Sequence, residues 1–344
     1  MADEELEIND SDELYERLVL TIDKGQEPLR IDKFLMRRIE GATRNKIQQG
    51  IDNEMVLVND KPVKNNYKVK PQDRIIVYDS HAPEGGEIVP EHISLDIVFE
   101  DESILIINKP AGMVVHPGSG NPGGTLVNGV AHYLREKDPG LDENQLMRFG
   151  LVHRIDKNTS GLLVMAKNQK AMTDLAKQFF DHTVHRRYIA LVWGDFDENK
   201  GTINAHVGRH KRFRKFFTTY PDGDYGKEAI THYQVLERFN YVTLVECRLE
   251  TGRTHQIRVH MQLIGHPLFN DDSYGGDRIV AGTVFTKYKQ FVDNCFALCP
   301  RQALHAKELG FIHPVTRKQV HFESDLPEDM NAVIDKWRRY ILPK

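Results

Sequence analysis

The sequence predicts an α+β protein: a small N-terminal α/β module followed by a larger domain with a mostly antiparallel, mixed sheet. Three observations predict it. The chain has 344 residues, more than the ~150 that one domain usually takes. Residues 29–79 carry their own helix and strand patterns and are set off by 80–92, a linker with Pro83, Gly85, Gly86 and Pro90. Residues 93–325 hold many short apolar runs joined by short turns, without the regular strand–helix alternation of a parallel sheet.

Residues 1–28 hold ten acidic and two basic side chains, and such like-charged sequence predicts a disordered tail. The whole chain is net −4, so the remainder is net +4 and suits a polyanionic partner. Ile31, Phe34, Leu35 and Ile39 then recur at helical spacing, interleaved with Arg30, Lys33, Arg37 and Arg38. Thr43 is placed to cap a second helix running through Ile47 to Gly50. Residues 55–58, the turn Asn59-Asp60 and residues 74–78 read as strand, turn and strand. Between 30 and 78, eleven Lys/Arg stand against six Asp/Glu.

This order of a basic helix with RIDKF, a helix led by TRNKIQQGI, then VLVNDKPV and YKVKPQDRIIV resembles a known RNA-binding module. It is the small module of a ribosomal small-subunit protein and of tyrosyl-tRNA synthetases. The resemblance implies that Arg30, Lys33, Arg37, Arg44 and Lys46 meet RNA phosphates, contacts that give affinity and position rather than sequence choice.

In the larger domain, residues 105–107, 162–165, 189–192 and 242–245 read as strands, and 125–135, 170–180 and 254–264 as helices. The stretch 326–344 reads as a helical tail. Cys247, Cys295 and Cys299 are an odd count without metal-pair spacing, so neither a disulfide framework nor a metal site is expected. No run of ~18 apolar residues and no secretory leader is visible. A cytoplasmic protein, monomeric and away from membranes, is expected.

Three local patterns carry chemistry. In HRIDKNTSGLLVMAK, from His153 to Lys167, Gly161 permits a tight approach or a positive φ, while Thr159 and Ser160 can cap loop amides. Together they hold Asp156 at a strand edge. In TGRTHQIRVHMQLIGHPL, from Thr251 to Leu268, Thr254 is a candidate cap, Ile257, Met261 and Ile264 form a buried stripe, and Gly265 and Pro267 stop the helix. Arg258 follows that stripe and can aim inward at a carboxylate. His255, His260 and His266 read as hydrogen-bonding groups rather than metal ligands. In HRRYIALVWG, from His185 to Gly194, Tyr188 enters an apolar strand.

Taken together, these patterns resemble the pseudouridine synthases of the ribosomal-RNA type, the RluA/RluD-like family. NKPAGMVVHPG, GTL, GKEAITHY and RQALHAKELGFIHP add to the match, which spans about 93–325. The resemblance implies Asp156 as the catalytic residue, with Tyr188 and Arg258 beside it. It also implies Arg154 as the group that helps flip the base out, and Ile257 in the uracil pocket. Ile155 stands where the family usually has Leu. The basic-aromatic loop GRHKRFRKFF, with Arg209, Lys211, Arg212, Arg214 and Lys215, suits phosphate contact and base stacking.

The chemistry fits these residues. Isomerising uridine imports no group and oxidises nothing, so no cofactor, metal or nucleotide is needed. A buried carboxylate would be protonated unless a cation within ~4–6 Å keeps it ionised, the task open to Arg258. Asp156 can serve as nucleophile or as base, and the sequence does not choose. The expected substrate is large-subunit (23S) ribosomal RNA, with transfer RNA as the alternative. A glycosidase would need two carboxylates, and the patterns supply one. A non-catalytic RNA-binding or ribosome-assembly factor would leave Asp156, Tyr188 and Arg258 without a purpose.

Overall fold

The computed structural model describes residues 15–39, 43–52, 55–79, 88–117, 121–140, 150–211, 213, 216–283 and 285–341. The chain forms two compact units, one of residues 1–87 with 118–122 and one of residues 88–117 with 123–344.

The small unit begins earlier than the sequence suggests. Strand β1 (Tyr15–Thr21) lies within the stretch expected to be a disordered tail, and residues 1–14 fall outside the described residues. Leu18, Leu20 and Ile22 alternate inward while Val19 and Thr21 face out, a period-2 pattern that the surrounding acidic residues obscure. Helices α1 (Ile31–Met36) and α2 (Arg44–Asp52) follow, then β2 (Val56–Val58), β3 (Lys61–Pro62) and β4 (Arg74–Asp79). The strands form an antiparallel sheet in the order β1-β4-β2-β3. Asn59 and Asp60 turn the β2–β3 hairpin at φ 52° and 60°, the pair of left-handed residues that a two-residue hairpin loop requires. Ile31, Phe34, Leu35, Ile47 and Ile51 of the helices pack on Val56, Val58, Ile75 and Val77.

The large unit is built on a ten-stranded sheet. In chain order its elements are β5 (Ile97–Glu100), β6 (Ile104–Lys109), α3 (Leu126–Lys137), β7 (Gly150–Leu151), β8 (Ser160–Ala166), α4 (Gln169–Phe180), β9 (His185–Trp193) and β10 (Lys200–Asn204). A two-stranded ribbon, β11 (His206–Arg209) and β12 (Phe217–Tyr220), follows. After it come β13 (Ile230–Arg238), β14 (Val242–Leu249), α5 (Gln256–Leu263), α6 (Thr286–Leu298), β15 (Leu304–Ile312), β16 (Gln319–Glu323) and α7 (Glu328–Ile341). The sheet runs β10-β13-β14-β9-β15-β8-β6-β5, with β16 on β15 and β7 on β8. The β15–β8 pair is parallel and the other pairs are antiparallel.

Both faces of the sheet are covered, so its central strands read as continuous apolar runs. Along β9, Tyr188, Ala190 and Val192 face the cluster shared with α3 and α5. Ile189, Leu191 and Trp193 face the cluster shared with α6 and α7. The C-terminal helix is therefore part of this core rather than a tail: Met330, Val333, Ile334 and Trp337 are buried in it. Helix α5 starts at Gln256, one residue later than a Thr254 cap would start it. His255 precedes it in the left-handed conformation, φ 57°. His255 makes no side-chain cap; the Gln256 carboxamide instead ties down the preceding turn, accepting from Arg253 N at 2.9 Å and from Thr251 Oγ1 at 2.8 Å. Gly265, at φ 84°, ends the helix.

Candidate active site

Asp156 sits in the loop between β7 and β8. Gly161 makes this loop possible: it has φ +117°, and a Cβ there would lie 2.3 Å from the Ala306 carbonyl oxygen. Only glycine lets β8 start so close to β15, where Gly161 pairs with Ala306. The loop is pinned from below by two buried cations. Lys109 is fully buried and donates from Nζ to the carbonyls of Pro110 (2.8 Å), Met113 (2.9 Å) and Lys157 (3.0 Å). Arg301 donates from Nη1 to Asn158 O at 3.0 Å and is held by Asp329. Thr159 N closes the turn on Asp156 O at 3.0 Å. The Ser160 hydroxyl caps no loop amide; it meets His305 Nδ1 at 2.9 Å and accepts from Arg301.

The Asp156 side chain is 21% exposed. Arg258 reaches it from the first turn of α5, with Nη1 donating to Oδ2 at 3.1 Å. The same guanidinium donates from Nε and Nη2 to the two oxygens of fully buried Asp271, at 2.8 and 2.9 Å. His255 Nε2 lies 3.9 Å from Asp156 Oδ2, and its Nδ1 meets the Tyr274 hydroxyl at 2.7 Å. Phe217 N donates to that same hydroxyl at 3.1 Å, so the β11–β12 ribbon is tied to the site.

Burial alone would raise the pKa of Asp156. In the acid range where Asp156 titrates, protonated His255 together with Arg258 and Arg154 outweighs it and holds the carboxyl below its usual range. Desolvation pushes His255 itself down to about 4 despite the pull of Asp156. The imidazole is thus neutral near pH 7, and the permanently charged guanidinium of Arg258 is the standing counter-ion. Burial raises the Tyr188 phenol, and the Asp156 charge adds to that while Arg186 opposes it, so the hydroxyl keeps its proton.

The structure brings five of the expected site residues together: Asp156, Arg258, Tyr188, Ile257 and Arg154. Tyr188, Ile155 and Ile257 share one apolar cluster on the face of β9 that α5 covers. Arg154 is exposed and close enough to act on the charges of Asp156 and His255. His260 and His266 are hydrogen-bonded, to Thr231 and Ala205 O and to Trp193 O. Arg209 lies 4.9 Å from the Phe217 ring centre, and exposed Lys211 is within 3.4 Å of Asp224. Arg212, Arg214 and Lys215 lie outside the described residues. In the small unit, Lys33 and Arg37 are exposed. Arg30 and Arg44 both donate to buried Asp32, at 2.9 and 3.0 Å. The side chain of Lys46 is outside the described set.

Asp271 and Tyr274 escape motif reading, and Lys109 lies inside NKPAGMVVHPG without an assigned role. A lysine closing the apolar run of β6 is the one signal that points to Lys109. Among the described residues, Glu308, His321 and Glu323 lie close enough to share a cation. Arg187 already pairs with Glu308, so the group reads as an ion-pair network. A cavity of about 690 Å³ beside Ser160 and Arg301 does not include Asp156. Its lining holds Asp96, Asp325, Glu328 and Asp329, which repel a polyanion.

Comparison with known proteins identifies the family. Residues 103–263 match the RNA pseudouridylate synthase family, and residues 29–75 match the S4 domain. The chain is 45% identical over 322 residues to an uncharacterized RNA pseudouridine synthase of Chlorobaculum parvum, covering 93% of this chain and 98% of that one. It is 42% identical over 310 residues to ribosomal large subunit pseudouridine synthase D of Zymomonas mobilis, covering 88% and 92%. Human RNA pseudouridylate synthase domain containing 4 shares the fold at TM-score 0.56 and 22% identity, over 70% of this chain and 92% of that one. The chain belongs to the RNA pseudouridine synthases, enzymes that isomerise uridine in RNA to pseudouridine, and carries an S4 domain ahead of the synthase domain.

Proposed function

We propose that this protein converts uridines of large-subunit ribosomal RNA to pseudouridine, with Asp156 as the group that begins the reaction. The observation that carries this reading is the Asp156–Arg258–Asp271 chain: a mostly buried carboxylate kept ionised by a guanidinium that a second carboxylate aims. The relatives named as ribosomal large subunit synthases support the substrate. A ribosomal RNA substrate also implies a cytoplasmic site of action.

In the reaction the C1′–N1 bond of uridine breaks, the uracil turns, and a C1′–C5 bond forms. The proton on C5 is lost and N1 gains one, so the RNA keeps its mass. Asp156 acts at the ribose, as nucleophile on C1′ or as base on a sugar proton. Arg258 holds the carboxylate in its reactive form and direction. Tyr188, protonated and on the apolar face with Ile257, suits stacking on uracil and relaying the C5 proton. The target base must leave its stack before it can react. Exposed Arg154 is the wedge that fills its place. The S4 domain, through Lys33, Arg37 and their neighbours, and the ribbon loop around Lys211 grip the RNA backbone.

The test is to map pseudouridine in large-subunit and transfer RNA with and without the protein, and to assay tritium release from [5-³H]uridine-labelled RNA. Conversion confined to large-subunit RNA, lost with Asp156→Asn while RNA binding persists, is the expected result. Turnover by Asp156→Asn would overturn the assignment. Release of free uracil would mark a hydrolase instead.

A further inference from the structure

Strand β9 carries two consecutive arginines whose side chains end in opposite environments. Arg187 points to the face where Glu246 and Glu308 stand; its Nη1 lies 2.8 Å from Glu246 Oε2, and it also pairs with Glu308. Arg186 points the other way, to the face of Tyr188, and is only 7% exposed. Among the described residues it has one hydrogen bond, from Nη2 to Glu250 O at 3.2 Å, and its guanidinium lies 5.6 Å from the Phe179 ring centre. Its buried Nε has no partner, and no carboxylate pairs with it among the described residues. A buried cation in this state is costly unless a counter-charge arrives. Burial depresses its pKa; Tyr188 offsets this and the nearby Arg253 adds to it.

The surroundings say where a counter-charge could enter. Gly252 is exposed, and a Cβ on it would lie 2.4 Å from Arg186 Nη1. Any other residue at 252 would therefore crowd the guanidinium from the side of that exposed backbone. Arg186 also acts on His153, the neighbour of Arg154. Arg186, Arg253 and Arg154 thus ring the approach to Asp156 and Tyr188 with positive charge. The approach suits a small anion on a chain that delivers a base to Tyr188.

From this geometry we infer that Arg186 is the binding residue for a phosphodiester oxygen next to the target uridine, which enters beside Gly252. This rests on the reading of the site as one that receives a nucleotide of RNA. Arg186 anchors the backbone of that nucleotide while Arg154 acts on the stack it leaves.

The experiment uses the full chain and a synthetic RNA fragment bearing a uridine mapped as converted, with a neutral methylphosphonate in turn at each flanking linkage. One linkage should weaken wild-type binding about tenfold or more, the loss expected for a charge-assisted hydrogen bond. Arg186→Met should bind the native RNA equally weakly and lose nothing further at that linkage. Its log–log salt dependence should be shallower by roughly 0.7–0.9, one phosphate contact. Gly252→Ala should show the same loss in part, and Arg186→Lys should keep the linkage sensitivity. If Arg186→Met fails to fold, the wild-type linkage scan and Gly252→Ala still decide. A wild-type enzyme indifferent to both linkages, or a variant with undiminished salt slope and linkage sensitivity, would overturn the assignment. Failure of the wild-type protein to convert any uridine would instead overturn the reading beneath it.

Discussion

Asp271 holds Arg258 by both of its oxygens, leaving a single guanidinium nitrogen for Asp156. The fork-to-fork pairing fixes the plane of the guanidinium as well as its place. Asp271 is itself fixed, accepting from Ser273 N and Tyr274 N at 3.0 and 3.2 Å. The Tyr274 ring packs 4.9 Å from the guanidinium carbon. Arg258 is therefore a braced strut, and the direction of Asp156 is inherited through it from Asp271 and Tyr274.

Asp271→Asn keeps the shape of this brace but removes its charge and turns one acceptor into a donor facing Arg258. The expected outcome is a fall in kcat of about tenfold to a hundredfold with the KM for RNA nearly unchanged, since only alignment is lost. Stability in urea should drop by about 3 kcal/mol, the cost of breaking a buried pair. A normal kcat in Asp271→Asn would show that Asp156 needs no such alignment.

Lys109 supports the same carboxylate from the other side. Its ammonium holds the carbonyls of Pro110, Met113 and Lys157 together, joining the β6 end to the loop of Asp156. Burial pulls its pKa down to about 7, against the pull of Asp156 and helped by Arg301. Lys109→Met leaves buried carbonyls without donors, at about 1–3 kcal/mol for each. Urea denaturation should register that loss, and turnover should fall with it while RNA affinity, measured by filter binding, stays within about twofold. Unchanged stability would mean that water replaces the ammonium.

What the sequence makes legible follows from local pattern. The apolar runs of β6, β8, β9 and β14 and the stripe of α5 are written in periods of two and 3.6 residues, so the sheet and helices emerge early. Asp156 and Arg258 are legible because each sits in a short stretch with its own turn or helix chemistry. Asp271 is not, because its meaning lies in a contact with Arg258, thirteen residues away across the end of α5 and a loop that obeys no period. Strand β1 is masked by its acidic neighbours, and α7 is read as a tail because the core it fills comes from α6, β9 and β14. The start of α5 is misplaced because left-handed His255, rather than Thr254, stands at the N-cap, and no sequence period marks that backbone conformation.

Gly161→Ala probes the strand edge that carries Asp156. The added methyl would stand 2.3 Å from Ala306 O, at a φ of +117° that L-residues rarely adopt. Backbone would have to move, since neither atom belongs to a flexible side chain. The expected cost is about 3 kcal/mol or more, read in urea denaturation, with the parallel β8–β15 pairing weakened. Hydrogen exchange at Ala306 and Lys307 should accelerate first. A variant of unchanged stability would show that the β8–β15 contact is looser than these distances imply.

The histidines give the protein a defined acid limb. Val164 N donates to His153 Nε2 at 3.0 Å, so that nitrogen must be unprotonated in the folded state. Burial, with Arg186 adding to it, lowers His153 from 6.5 to about 3. His255 and His305 are lowered to about 4, chiefly by burial. Between these values and 6.5 the unfolded chain binds protons that the folded chain does not, so stability rises with pH through that window. It is full above 6.5 and declines as pH falls toward 4. Asp156, held below 3.8, adds its own loss only at still lower pH. His153→Gln can keep an acceptor for Val164 N without titrating. Its melting temperature should therefore fall less steeply than wild type between pH 6.5 and 5, with about one proton fewer taken up on unfolding. Equal slopes for the two proteins would place the proton already on His153 in the folded state.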